Sequence, residues 1–172
     1  MVEFNIDWKK AENKRLVEGK SLVFHCHHYN CYLQRTIEDA QIIDGKGIQV
    51  NTAREVAHEH FTKAFSNHPE LNTPQKKFGF ASTFFQIAGF GKVDFANLKE
   101  GGGIVKCPSS HYARGWVAKW GKRKTPACHF NAGWIAGVAA AVFNKDRYSY
   151  DVEEIECEAV KGKGCAYRVG VR

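Results

Sequence analysis

Two groups of side chains in this 172-residue sequence are of the kinds that bind metals or carry out acid–base and nucleophilic chemistry. The first is the run His25-Cys26-His27-His28-Tyr29-Asn30-Cys31. Near neutral pH, imidazole and thiol groups ligate soft or borderline metals, move protons or act as nucleophiles. Cys26, His27, His28 and Cys31 are therefore the candidates for catalysis or for a second metal or haem-type cofactor, and His25 and Tyr29 are candidates for ligand contact. In an extended chain His25 and His27 share one face and Cys26 and His28 the other. Once a helix begins, His27 and Cys31 are four apart and can share a metal. A helix N-terminal region whose histidines only hydrogen-bond is the competing reading. It is the better one for any single histidine, whereas the density of the cluster favours function.

The second group is Cys128 together with the spacing Glu154-x2-Cys157-x7-Cys165. A hairpin would place Cys157 opposite Cys165 with Glu154 beside them, and Cys128 could approach from the start of a helix. Three thiolates and one carboxylate suit a closed tetrahedral Zn²⁺ site. The spacing is not one of the common zinc spacings, so a disulfide or plain buried thiols stay open on this ground alone.

The elements that must position these groups are read from periodicity. Phe130, Trp134, Val138 and Val142 recur every four residues after Pro126, which predicts an amphipathic helix, with Gly133 and Gly137 on an adjoining stripe. Tyr148, Tyr150 and Val152 alternate, as do Cys165, Tyr167, Val169 and Val171, giving two strands joined through VKGKG. Ile155, Cys157 and Ala159 are one step out of phase with Val152. A bulge near Glu153–Glu154 accounts for the slip and turns Glu154 to the face of Cys157.

This last third resembles the 4-vinyl reductase domain family of small-molecule-binding domains. The resemblance rests on Cys128 with Phe130, Gly133-x3-Gly137, Glu154-x2-Cys157, the Gly-rich turn, and Cys165 with Tyr167 and Val169. The family also occurs as the zinc-containing sensory domain of phenol-responsive activators. It implies that Cys128, Glu154, Cys157 and Cys165 bind zinc. It implies a ligand cavity near the strand-to-helix transition ahead of the first zinc cysteine, with His111, Tyr112 and Trp116 as pocket residues and Cys107 facing the same cavity. It further implies an α+β fold, an antiparallel sheet of about four strands packed with helices, like that of the TRAPP trafficking-complex subunits, and a homodimer. The family name implies reduction of a tetrapyrrole vinyl group. However, GKG and GGG here are turns, and the chain has no phosphate-binding strand–loop–helix.

Earlier in the chain, residues 1–18 read as a short strand followed by a helix or an arm, with Trp8 in a packing role. Leu22-Val23-Phe24 reads as a strand ending near His27, followed by a helix from about Tyr29 to Ile42. Residues 51–66 form a helix capped by Asn51 or Thr52, with His58 and His60 as structural or surface groups. Residues 76–90 form an aromatic helix in which Phe80 and Phe84 could line a pocket. Residues 92–98 and 103–109 read as an antiparallel pair, and 109–121 as a helix capped by Ser109 or Ser110.

The length suits one domain over 1–172, with 1–50 as an extension bearing the His/Cys cluster and 128–172 as the zinc-binding helix and hairpin. Net charge is +7, but the lysines are scattered, so nucleic-acid binding is not expected. No run approaches a membrane span, and the N-terminus has no apolar leader. A cytoplasmic location follows, where six cysteines favour metal or reactive thiols over disulfides. With no regulatory domain in the chain, any signal would pass to a separate protein. The expected function is a zinc-containing protein that binds an apolar, aromatic or tetrapyrrole-like ligand, with a second His/Cys site at 25–31. The alternative is an enzyme, such as a reductase, lyase or hydrolase, acting on that ligand through the cluster.

Overall fold

The computed structural model describes residues 4–23 and 26–172. Four antiparallel strands form its main sheet: β4 (Gly91–Lys99), β5 (Gly102–Ser110), β6 (Tyr150–Glu156) and β7 (Cys165–Val171), in the order β4-β5-β7-β6. Before them in the chain come β1 (Ile6–Lys9), β2 (Lys14–Val17) and β3 (Lys20–Ser21), then helices α1 (His27–Asp39), α2 (Gly45–Asn67) and α3 (Pro74–Ile87). Helices α4 (His111–Trp120) and α5 (His129–Val142) separate β5 from β6. This is the α+β architecture expected, with helices packed on an antiparallel sheet. No described helix is long and apolar enough to cross a membrane.

The sheet alternates as its sequence does. Cys165, Tyr167 and Val169 are buried, while Arg168 between them is exposed and pairs with Glu153 across the strands at 2.9 Å. On β6, Tyr150 is buried and Glu154 keeps its phase. The register shift falls between Glu154 and Glu156, one step later than expected. Ile155 is the extra residue. It is exposed rather than sharing the inward face with Cys157.

Helix α5 is buried on nearly every side, from Asn131 to Val142, instead of presenting one wet face. The sheet covers one flank and α2 the other. Gly133 and Gly137 make that second contact possible, because a Cβ at either position would lie within 2.3 Å of an α2 carbonyl oxygen.

Several helix starts differ from the sequence expectation for local reasons. Helix α2 begins six residues before Asn51, because the Asp44 side chain accepts a hydrogen bond from Gly47 N–H. Helix α1 begins at His27 and ends at Asp39, capped by the Cys26 sulfur, which accepts from Tyr29 N–H at 3.4 Å. The strand expected at Leu22–Phe24 is not formed by Leu22 and Val23, which follow β3 without regular structure. The rest of that expectation, Phe24, lies outside the described residues, and so does His25. Ser110 caps α4 through Ala113 N–H, one of the two caps expected.

Residues 6–21 form a three-stranded antiparallel sheet, with only the three-residue 3-10 turn Lys10–Glu12 after β1 in place of a longer helix or an arm. Trp8 has no packing role there. It is 53% exposed, between Lys10 and Arg15, which lie 5.1 and 4.9 Å from its ring centroid.

The aromatic residues of α3 are core. Phe80 stacks on Phe4 with 4.5 Å between centroids, and Phe84 packs against His60 and Phe61. His60 is 6% exposed and its Nε2 is buried without a partner. Burial holds its pKa at about 4, against 6.5 for a free imidazole. The unfolded chain therefore binds a proton that the folded one refuses. Stability present above pH 6.5 is lost as pH falls toward about 4, by roughly 3 kcal/mol in all. His60→Leu should flatten this acid limb of the stability–pH curve in urea titrations, and an unchanged acid limb would contradict the assignment.

Candidate metal centre and ligand cavity

The bulge in β6 and the start of α5 converge on one point. Cys128, the residue before α5, makes no side-chain cap bond. Its N–H donates to Glu154 Oε2 at 2.9 Å, and its Sγ lies 3.7 Å from Cys165 Sγ and 3.1 Å from Ser110 Oγ. Ala127 N–H donates to Cys157 Sγ at 3.4 Å, and Glu158 N–H to Cys165 Sγ at 3.5 Å. Cys128, Glu154, Cys157 and Cys165 each offer a donor atom within 4.8 Å of the other three, and the group could hold a metal ion. Eight residues, 157–164, connect the strands, with Gly162 and Gly164 at positive φ.

Glu154 tests whether a cation fits. Its Oε1 is buried with no hydrogen-bond partner. An unpaired buried carboxylate oxygen is costly, and a metal ion is a partner of the right charge. Burial and the neighbouring Cys157 thiolate push the Glu154 carboxyl up to about 8. Hydrogen bonds from Cys128 and Cys165 hold Cys157 far below the usual thiol range, whereas burial raises Cys128. At Cys165 the contact with Cys128 pulls downward but is outweighed by the bond to Cys157 and by burial, so its thiol is also held high. Such a cluster carries one thiolate by itself. A divalent ion would stabilise the others as thiolates.

A second convergence joins the first turn of α1 to the first residue of α4. His27 Nδ1 lies 2.9 Å from His111 Nδ1, and His27 Nε2 lies 3.9 Å from Cys31 Sγ. The three residues offer donor atoms within 4.8 Å of one another. Desolvation lowers the pKa of His27 and takes His111 to about 4, and it raises that of Cys31. Neutral imidazoles beside a protonated thiol are the reverse of the ion pair that activates a nucleophilic cysteine.

Beside this cluster lies an apolar cavity of ≈ 300 Å³. Leu33, Ile37, Ala53, Val56 and Phe130 supply its apolar walls, and Asn30, Gln34 and Tyr112 are among its polar groups. Gln34 is 4% exposed. Its Nε2 donates to Ala127 O at 2.7 Å and to Glu38 Oε1 at 2.6 Å. Glu38 in turn accepts from Arg123 at 2.8 Å. Helix α1 is thereby fastened to the segment that leads into Cys128.

No protein-family model and no curated protein matches the sequence. Among solved structures, the chain is similar to the phenol-responsive sensory domain of the transcription activator PoxR, solved with phenol. The TM-score is 0.80 at 13% identity, over 96% of this chain and 84% of that one. The two share a fold. A vinyl-4-reductase family protein from Methanocaldococcus jannaschii aligns at a TM-score of 0.47 and 19% identity, over 83% of this chain and 90% of that one.

The structure separates the other candidates. Cys26 and His28 are exposed, Cys26 as the α1 cap and His28 with its ring 6.2 Å from that of His27. Tyr29 is 52% exposed. Phe80 and Phe84 belong to the α2–α3 core and do not line the Tyr112 cavity. Trp116 lies under the Arg123 guanidinium, 4.0 Å from its ring centroid. Cys107 is fully buried beside Cys165 in β5, and burial pushes its thiol up to about 12. Sequence reasoning missed Gln34 and Gly115. The only signal for Gln34 was its i+3 spacing from Cys31. Gly115 had none, since its role depends on a helix distant in sequence.

Proposed function

We propose that this chain is a zinc-stabilised domain that binds a small, apolar aromatic ligand in the cavity between α1 and α2. The cavity carries the reading. Its volume of ≈ 300 Å³ is at the low end of the range for ligand pockets. An apolar cavity of about 150 Å³ accommodates benzene, so one substituted ring fits here, while a tetrapyrrole is too large. The polar groups Tyr112, Asn30 and Gln34 would orient a hydroxyl. The shared fold with a phenol-responsive sensory domain supports the same ligand class.

In this reading Cys128, Glu154, Cys157 and Cys165 hold the zinc ion. When bound, it supplies a closed tetrahedral cross-link with no open position for chemistry. The cysteines are free thiols, which suits a reducing, cytoplasmic setting. We read 1–172 as one domain. Exposed Tyr32, Leu33, Ile48 and Val56 on α1 and α2 would be covered in a homodimer.

Calorimetric titration with phenol tests the cavity. Val56 lines it yet is 49% exposed, so Val56→Trp should fill the space without unfolding the chain. That variant should lose phenol binding, and Tyr112→Phe should weaken it about tenfold through the lost hydrogen bond. If Val56→Trp binds phenol as the parent does, the cavity is not the site.

A further inference from the structure

Nothing in the proposed zinc centre or in ligand binding within the cavity requires His27, Cys31 and His111 to converge. We propose that these three residues form a second metal site, open at one coordination position, for a borderline divalent ion such as Zn²⁺ or Co²⁺. The inference is independent of the zinc centre at Cys128.

Three observations carry it. The first is the donor set. Two imidazoles and a thiol, each with a donor atom within 4.8 Å of the other two, match the ligand preferences of borderline metals. His27 and Cys31 are one helical turn apart on α1, and His111 arrives from the start of α4, a remote element. Three protein donors leave the fourth tetrahedral position to water or to a ligand donor atom, the arrangement of open sites. The cavity residues Asn30 and Tyr112 adjoin Cys31 and His111 in the chain.

The second observation is an unsatisfied atom. His111 Nε2 is buried and has no hydrogen-bond partner, although its Nδ1 already meets His27. A buried polar nitrogen without a partner is destabilising.

The third observation is Gly115 in α4. Glycine within a helix is less favourable than alanine. A Cβ there would lie 2.4 Å from Cys31 Sγ and 2.4 Å from His27 Nε2. Gly115 therefore acts as a positioning residue whose missing side chain is the space in which the cluster sits.

Elemental analysis of protein as purified, exchanged against excess Co²⁺ and freed of unbound metal, tests the site. Two ions per chain are expected, the second adding its own sulfur-to-cobalt absorption. In His27→Gln, which alters a partly exposed side chain, one ion should remain in a chain that still unfolds cooperatively. Gly115→Ala favours the helix but fills the space, and it should weaken the second ion at least about 100-fold. A metal content, whether one ion or two per chain, that both His27→Gln and Cys31→Ser leave undiminished would overturn the proposal. A parent with one ion that Cys157→Ser removes would reject this site and leave the zinc centre standing. Loss of the ion in His27→Gln but not in Cys157→Ser would do the reverse.

Discussion

Cys157→Ser is expected to lose the structural metal ion and, with it, the cooperative fold. The ion would join the start of α5 to both strands of the terminal hairpin through Cys128, Glu154, Cys157 and Cys165. Structural zinc sites contribute apparent binding energies of about 10–16 kcal/mol, comparable with or larger than the whole stability of an ordinary domain, about 5–15 kcal/mol. A serine hydroxyl replaces a thiolate poorly, so the loss approaches that scale. Cys107→Ser is the control. Cys107 is equally buried and pairs with Cys165 across the sheet, yet it lies outside the four-residue group. It should keep the metal and lose only roughly 1–3 kcal/mol for burying a hydroxyl. Elemental analysis and thermal unfolding of both variants decide the matter. A metal-free Cys157→Ser protein with the parent's midpoint would end the structural-zinc reading.

Gly137→Val should destabilise the chain by more than about 3 kcal/mol, at the upper end of overpacking costs. Here α2 and α5 meet backbone to backbone. A Cβ on Gly137 would lie 2.3 Å from Arg54 O and 3.0 Å from Ala57 Cβ. That carbonyl belongs to a helix and cannot retreat unless α2 moves as a body. Gly79→Ala should act in the opposite direction. Gly79 is an exposed interior position of α3 with nothing within 4 Å of a built Cβ. There alanine should add roughly 0.5–1 kcal/mol. Urea unfolding of the pair gives both signs. A Gly137→Val protein as stable as the parent would mean that α2 and α5 do not meet this way.

Where the fold was legible, one local pattern carried the information. Cys165, Tyr167 and Val169 announce a half-buried strand by alternation, and the slip between Val152 and Cys157 announces a bulge. The grouping of Cys128, Glu154, Cys157 and Cys165 follows from the same hairpin geometry and from the family resemblance. Where the reading missed, the cause lay outside the local pattern. A cysteine cap is rare, so the sequence pattern places the start of α1 two residues late. Gly45-Lys46-Gly47 looks like a turn, and only the Asp44 side chain makes it a helix start. Phe80 and Phe84 have the composition of a ligand pocket, but Phe4, His60 and Phe61 fill the space around them. His27 and His111 are 84 residues apart, and no spacing rule reaches across that distance.

The peptide unit joining Ala127 to Cys128 has both of its polar ends committed, its carbonyl to Gln34 in the cavity wall and its N–H to the Glu154 carboxylate. Two distinct chemical events therefore bear on one rigid plane of six atoms. A guest that favoured one orientation of Gln34 would favour, to that extent, one arrangement of the four candidate ligands. Thermodynamic reciprocity then requires the ion to discriminate among guests by the same factor. The chain would weigh a metal and a small molecule on a single balance, with the Ala127–Cys128 peptide as the beam.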